Sequence, residues 1–97
     1  MLQIQVSEIE KALSLLLEAL RKQEGEVIEL SLVDYYWAVD PEELYNPYTT
    51  PDRISMGQLS EDLEVIGRVA NGETPPVSLD LAKLGAVLAA IGHNTAW

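Results

Sequence analysis

Apolar and polar positions alternate at the start of the chain, where Leu2, Ile4 and Val6 are interleaved with Gln3, Gln5 and Ser7. A period of two predicts a short, half-buried strand. The period then changes. Ile9, Leu13, Leu16, Leu17 and Leu20 recur at spacings of three and four, which puts them on one face of a helix running to about Gln23. Ala12, Leu15 and Ala19 widen that stripe, so the helix is expected to pack against two neighbours. Ser7-Glu8-Ile9-Glu10 has the form of a capping box at its start, and Gly25 is placed to end it.

Val27 to Val39 reads as one long strand. Ile28, Leu30 and Leu32 alternate with Glu29 and Ser31, and the parity slips at Leu32-Val33. Beyond the slip, Val33, Tyr35, Trp37 and Val39 share a face and Asp34, Tyr36 and Ala38 share the other. A slip of one residue inverts the two faces of a strand, so a bulge near residue 33 is expected, or a second half covered on both sides. Asp40-Pro41-Glu42-Glu43 is a helix start, with an Asp cap, Pro in the first position and acids in the first turn. Asn46-Pro47 stops it within one or two turns, and Tyr48 to Arg53 is expected to be loop.

Ser55-Met56-Gly57-Gln58 resembles a second capping box. Met56, Leu59, Leu63, Ile66 and Val69 then form one helical face, closed by Asn71-Gly72. Gly72 to Pro76 is a short linker. A last helix opens at Ser78, runs to about Ile91 and closes at Gly92. The predicted order is β-α-β-α-α-α, a small α+β fold with a two-stranded sheet packed against about four helices, as a single domain over residues 1–97. A two-stranded sheet is marginal unless helices cover it. If its strands pair in parallel, the first helix is a right-handed crossover.

Composition narrows the function more than it names it. Hydrophobic residues make up 47% of the 97, enough for a core. The chain has no Cys, which removes disulfides and thiolate chemistry and fits a cytoplasmic location. The N-terminus lacks a secretion-signal pattern, and the longest apolar run, Leu79 to Ile91, is interrupted by Asp80 and Lys83 and too short to span a membrane. Sixteen acids face six bases, a net charge of −10. Such a chain is a poor partner for a phosphate backbone or an anionic membrane and a good one for a basic protein.

Candidate chemistry is sparse. The lone histidine, His93, follows the last helix and suits a capping role there. Glu61, Asp62 and Glu64 sit on a helix, where neighbours diverge by about 100° per residue, so they form a solvated face rather than a metal cage. No phosphate-binding glycine loop is present. The last helix carries a large apolar stripe (Leu81, Leu84, Leu88, Ile91) and a small one (Ala82, Gly85, Ala86, Ala89, Gly92). The small stripe suits close approach of another backbone, in the same chain or in a second copy. No cofactor, metal ligand set or catalytic residue is expected.

Five of the six aromatic residues fall between Tyr35 and Tyr48, with four acids and no base around them. Tyr and Trp combine area with a polar tip and suit cores and interfaces alike. By parity, Tyr35 and Trp37 are expected in the core and Tyr36 on the surface. The candidate partner-binding residues are therefore Asp34, Asp40, Glu42 and Glu43 for steering, with Tyr36, Tyr45 and Tyr48 as anchors. The expected function is a non-enzymatic acidic interaction domain that binds a basic protein, in the manner of an immunity protein or antitoxin. The alternative is a structural homodimer or assembly subunit that uses a strand edge or the small-residue helix.

Three strings, Asp34-Tyr35-Tyr36-Trp37, Glu43-Leu44-Tyr45-Asn46-Pro47-Tyr48 and Gly57-Gln58-Leu59-Ser60-Glu61-Asp62-Leu63, resemble a family of small bacterial proteins of uncharacterised function. The resemblance spans about residues 8 to 92. It implies a small α+β domain and transfers no catalytic residue.

Overall fold

The computed structural model describes all residues from Met1 to Trp97. The elements in chain order are α1 (Val6–Glu24), β1 (Tyr35–Val39), α2 (Pro41–Leu44), β2 (Ile54–Gln58), α3 (Leu59–Ala70) and α4 (Ser78–Asn94). The fold is α+β, with four helices and one two-stranded antiparallel sheet. Contacts group the chain into two compact units, Met1–Leu30 together with Trp97, and Ser31–Ala96.

The first unit is built on α1. The predicted strand at Leu2, Ile4 and Val6 does not form. Alternation alone makes no strand without an edge to pair with, and the only sheet consists of β1 and β2. The helix starts at Val6, ahead of the predicted Ser7 cap, and its first turn has no side-chain cap. It ends where expected. Gly25 takes φ +88°, a left-handed value open to glycine, and its N–H donates to the Arg21 carbonyl at 2.9 Å. The chain then turns back, so that Gly25, Glu26 and Ile28 border a cavity of about 140 Å³ with Leu17, Leu20 and Arg21. Leu20 is the only buried apolar residue of α1, and the Arg21 Nε to Glu26 Oε2 bond of 2.6 Å fastens the turn.

The second unit opens with the sheet. The predicted strand from Val27 contracts to Tyr35–Val39, because only these residues have a partner. The parity slip at Leu32-Val33 thus precedes the strand and is not a bulge within it. β1 pairs antiparallel with β2 from Tyr35↔Gln58 to Val39↔Ile54, so the crossover connection of a parallel pairing is absent. The observed order is α-β-α-β-α-α, since one strand is lost at the N-terminus and another is gained at Ile54–Gln58. The capping-box pattern at Ser55–Gln58 predicts a helix start there, yet Ile54, Met56 and Gln58 alternate with Ser55 and Gly57 as a strand requires.

Helix α2 follows its predicted start closely. Asp40 Oδ1 accepts from the Glu42 N–H at 3.0 Å, and Pro41 occupies the first helical position. α3 follows β2 with no intervening loop and stops at Asn71, with Gly72 at φ +74°. α4 starts at Ser78, where Asp80 Oδ2 accepts from the Val77 N–H at 2.9 Å. It does not close at Gly92 but continues to Asn94. Asn94 Nδ2 and Thr95 Oγ1 donate to the Ala90 and Ile91 carbonyls at 2.8 and 2.9 Å and satisfy the last turn. α3 and α4 pack against each other.

Candidate functional site

Directly paired residues of an antiparallel ladder share a face, so the register fixes the two surfaces of the hairpin. Tyr35, Trp37 and Val39 lie on one face with Gln58, Met56 and Ile54; Tyr36 and Ala38 lie on the other with Gly57 and Ser55. The parity-based assignment is inverted. Tyr35 and Trp37, expected in the core, are exposed, Trp37 at 74% of its surface. Tyr36, expected outside, is half-buried on the face turned toward α3. Val33 had marked the core face, but it precedes the strand and is itself exposed.

Tyr36 crosses its partner strand at Gly57. A Cβ there would lie 2.6 Å from the phenol oxygen and would overlap the ring. The glycine therefore serves close approach. The phenol then donates to Asp62 Oδ2 at 2.6 Å. Asp62, at 4% exposure, is the only buried charged residue, and Lys83 Nζ of α4 stands 3.6 Å from its other oxygen. A buried carboxylate requires such partners. The bond to Asp62, aided by burial, pushes the Tyr36 phenol up to about 12. This group pins β1, α3 and α4 together.

Asp34 is likewise occupied within the chain. Its Oδ1 accepts from the Ser60 N–H at 2.8 Å, and its Oδ2 from Ser60 Oγ at 2.6 Å and Gln58 Nε2 at 3.0 Å. Its backbone carbonyl takes the Leu59 N–H at 2.8 Å. Gln58, the local capping position of α3, offers no side-chain cap. Asp34 does so from twenty-six residues upstream. The Ser60 hydroxyl bond holds its carboxyl below the usual aspartate value.

The remaining three steering acids gather around one cation. Arg53, the only Lys or Arg between Lys22 and Arg68, places its nitrogens 4.0 Å from Asp40, 3.2 Å from Glu42 and 3.2 Å from Glu43. Glu43 also accepts the N–H groups of Asp52 and Arg53, both at 3.0 Å. These bonds, the Arg53 backbone first, bring its carboxyl down to about 2. Asp52, next to that carboxylate, is raised. The segment from Asp40 to Arg53 is thus a closed acidic lip, with an excess of negative charge around a single guanidinium. Tyr45 and Tyr48 stand out from it at 82% and 93% exposure, and Asn46 Oδ1 braces the bend by accepting from the Tyr48 N–H at 3.2 Å.

The structure therefore separates the candidate residues. Tyr45 and Tyr48 are free, Asp40, Glu42 and Glu43 form one ion cluster, and Asp34 and Tyr36 hold the fold. It adds Trp37, Tyr35, Ile54 and Met56 as an exposed apolar face. The alternation at Ile54–Gln58 and the isolated Arg53 were the sequence signals for these additions. Two grooves of about 440 Å³ flank α4, one bordered by Leu32, Val33, Leu59, Ala86, Ala89 and His93, the other by Ile66, Val69, Val77, Leu81 and Leu84. No group of three His, Asp or Glu side chains is arranged to hold a metal ion, and no helix is long and apolar enough to cross a membrane. No family model, curated protein or solved structure matches the chain.

Proposed function

We propose that the outer face of the β1–β2 hairpin docks a basic protein, and that the chain acts as a non-enzymatic acidic interaction domain, as an immunity protein or antitoxin does. The observation that carries this reading is the exposed Trp37, set among Tyr35, Ile54 and Met56 and joined at one end to the acidic loop with Tyr45 and Tyr48. Large aromatic side chains at the centre of a patch supply most of the energy of an interface. The excess carboxylates of the Arg53 cluster and Asp52 add long-range attraction for a cationic surface. Asp34 and Tyr36 enter as residues that hold the surface in shape, not as contacts. Small-molecule catalysis has little support, because the one buried acid, Asp62, is committed to Tyr36 and Lys83.

The test is affinity capture from the source cell with wild-type and W37A baits at low salt, followed by elution in rising salt. The expected outcome is a basic protein held by the wild type, lost from W37A and released as the Debye length falls from ~30 Å at 0.01 M to ~8 Å at 0.15 M. Capture of the same proteins by both baits, or binding indifferent to salt, overturns the reading. Self-association is favoured by a different surface, on α1.

A further inference from the structure

We infer that α1 pairs antiparallel with α1 of a second copy of this chain. The inference does not rest on the hairpin reading and uses a different surface.

The apolar positions of α1 follow a heptad seam. Val6, Ile9, Leu13, Leu16 and Leu20 are spaced three, four, three and four, the spacing that keeps a seam facing a partner helix. Within its own unit, only Leu20 is buried. Val6, Ile9 and Leu16 are exposed, with Leu17 beside them. A helix of this length has little stability without a packed face, and covering its apolar side chains is what supplies that stability. Ala12 and Ala19 line one flank of the seam and let a second backbone come close.

Charge selects the occupant and its direction. α1 holds four acids and three of the chain's six bases, a net −1, whereas the rest of the chain holds twelve acids and three bases, a net −9. α4, with one acid and one base, is neutral, but α1 alone gathers several bases, so opposite charges can meet across a pair of α1 helices. On α1, Glu10 and Arg21 are eleven residues apart, which places them about 20° from each other on the helical wheel and on the same flank of the seam. In an antiparallel pair related by a two-fold axis, that flank meets itself. With Leu13 of one copy layered on Leu16 of the other, each Glu10 lies two residues, or about 3 Å along the axis, from the position opposite Arg21 of the other copy. A parallel pair would set Glu10 against the alanine flank instead. Arg21 is held at present only by its pair with Glu26, exposed on both sides, and such a pair exchanges at little cost.

Sedimentation equilibrium of the full chain at micromolar concentration and low salt provides the test. The expected species has twice the 10.7 kDa chain mass. E10R and R21E should each raise the dissociation constant on the order of tenfold, and the double variant E10R/R21E should recover most of it. Recovery cannot arise within one helix, where the two positions are about 16 Å apart. Both positions are exposed; R21E also gives up the bond to Glu26 that fastens the turn, so far-UV circular dichroism checks that each variant keeps α1. W37A should dimerise like the wild type. A monomer at all concentrations overturns the inference, as does a dimer that ignores the charge exchange or is lost in W37A.

Discussion

At Tyr36 a single hydroxyl decides whether the most buried charge in the molecule has a proper partner. Without it, Asp62 keeps only Lys83 at 3.6 Å, and an under-satisfied buried group costs roughly 1–3 kcal/mol. Y36F should lower stability in urea by about that amount. The pH dependence has a definite sign. The phenol is raised from 10.0 to about 12 in the fold, so the neutral form is the stabilised one. Its contribution is complete below pH 10 and is lost as pH rises toward 12. Wild type should therefore lose stability across that window more steeply than Y36F. Equal slopes would mean the bond to Asp62 does not form in solution. Gly57 is the companion test. G57A forces the Tyr36 ring aside, so it should cost about 1–3 kcal/mol as an overpacked site and return the phenol toward its ordinary value.

At the scale of elements, the helices, the two-stranded sheet and β1 within Val27–Val39 were legible, whereas β2, the antiparallel pairing and the inward face were not. Periodic leucines placed α1, α3 and α4 because a helical face is a local pattern, read over a dozen residues. Asp40-Pro41 placed α2 for the same reason. β2 was missed because Ser55 and Gln58 look like a cap and Gly57 like a breaker, whereas the glycine is there for Tyr36. The inversion of Tyr35, Tyr36 and Trp37 arose from the same cause, since which face turns inward depends on where α3 lies, and no spacing within β1 records that. The helix cap on α3 was invisible because it comes from Asp34. D34A should uncap α3 and lower the urea midpoint. The loss should be smaller for D34N, which keeps an acceptor. Because the Asp34 carboxyl is lowered in the fold, its stabilisation is present above the ordinary aspartate range and fades as pH falls through its folded value. Glu43 acts on the loop in the same sense. E43A should speed amide exchange at Asp52 and Arg53, whose N–H groups it accepts. Unchanged exchange would show that the lip is not closed.

At the scale of the whole molecule, the two units have unequal means of staying folded. Residues 31–96 have α3 packed on α4 and the pin of Tyr36, Asp62 and Lys83. Residues 1–30 have one long helix and a return turn over Leu20. If α1 pairs with a second copy, its amides should exchange more slowly as protein concentration rises, while those of α3 and α4 stay constant, since mass action stabilises only what the partner touches. Protection that rises equally in both units would place the contact elsewhere. The unbalanced charge has a matching effect. At −10 overall, whole molecules repel one another, which favours a closed pair through α1 over open-ended assembly.

The direct junction of β2 and α3 has a mechanical consequence. With no residue to spare between Gln58 and Leu59, strand and helix behave as a crank. Sliding β2 by one residue would advance it about 3.4 Å and exchange its two faces, carrying the root of α3 with it and tearing Asp62 from Tyr36 and Ser60 from Asp34. The hairpin is thereby locked at its register, and Trp37 is held on the outside. A visitor to that face meets a plate already cast in its final form, and need not wait for the metal to set.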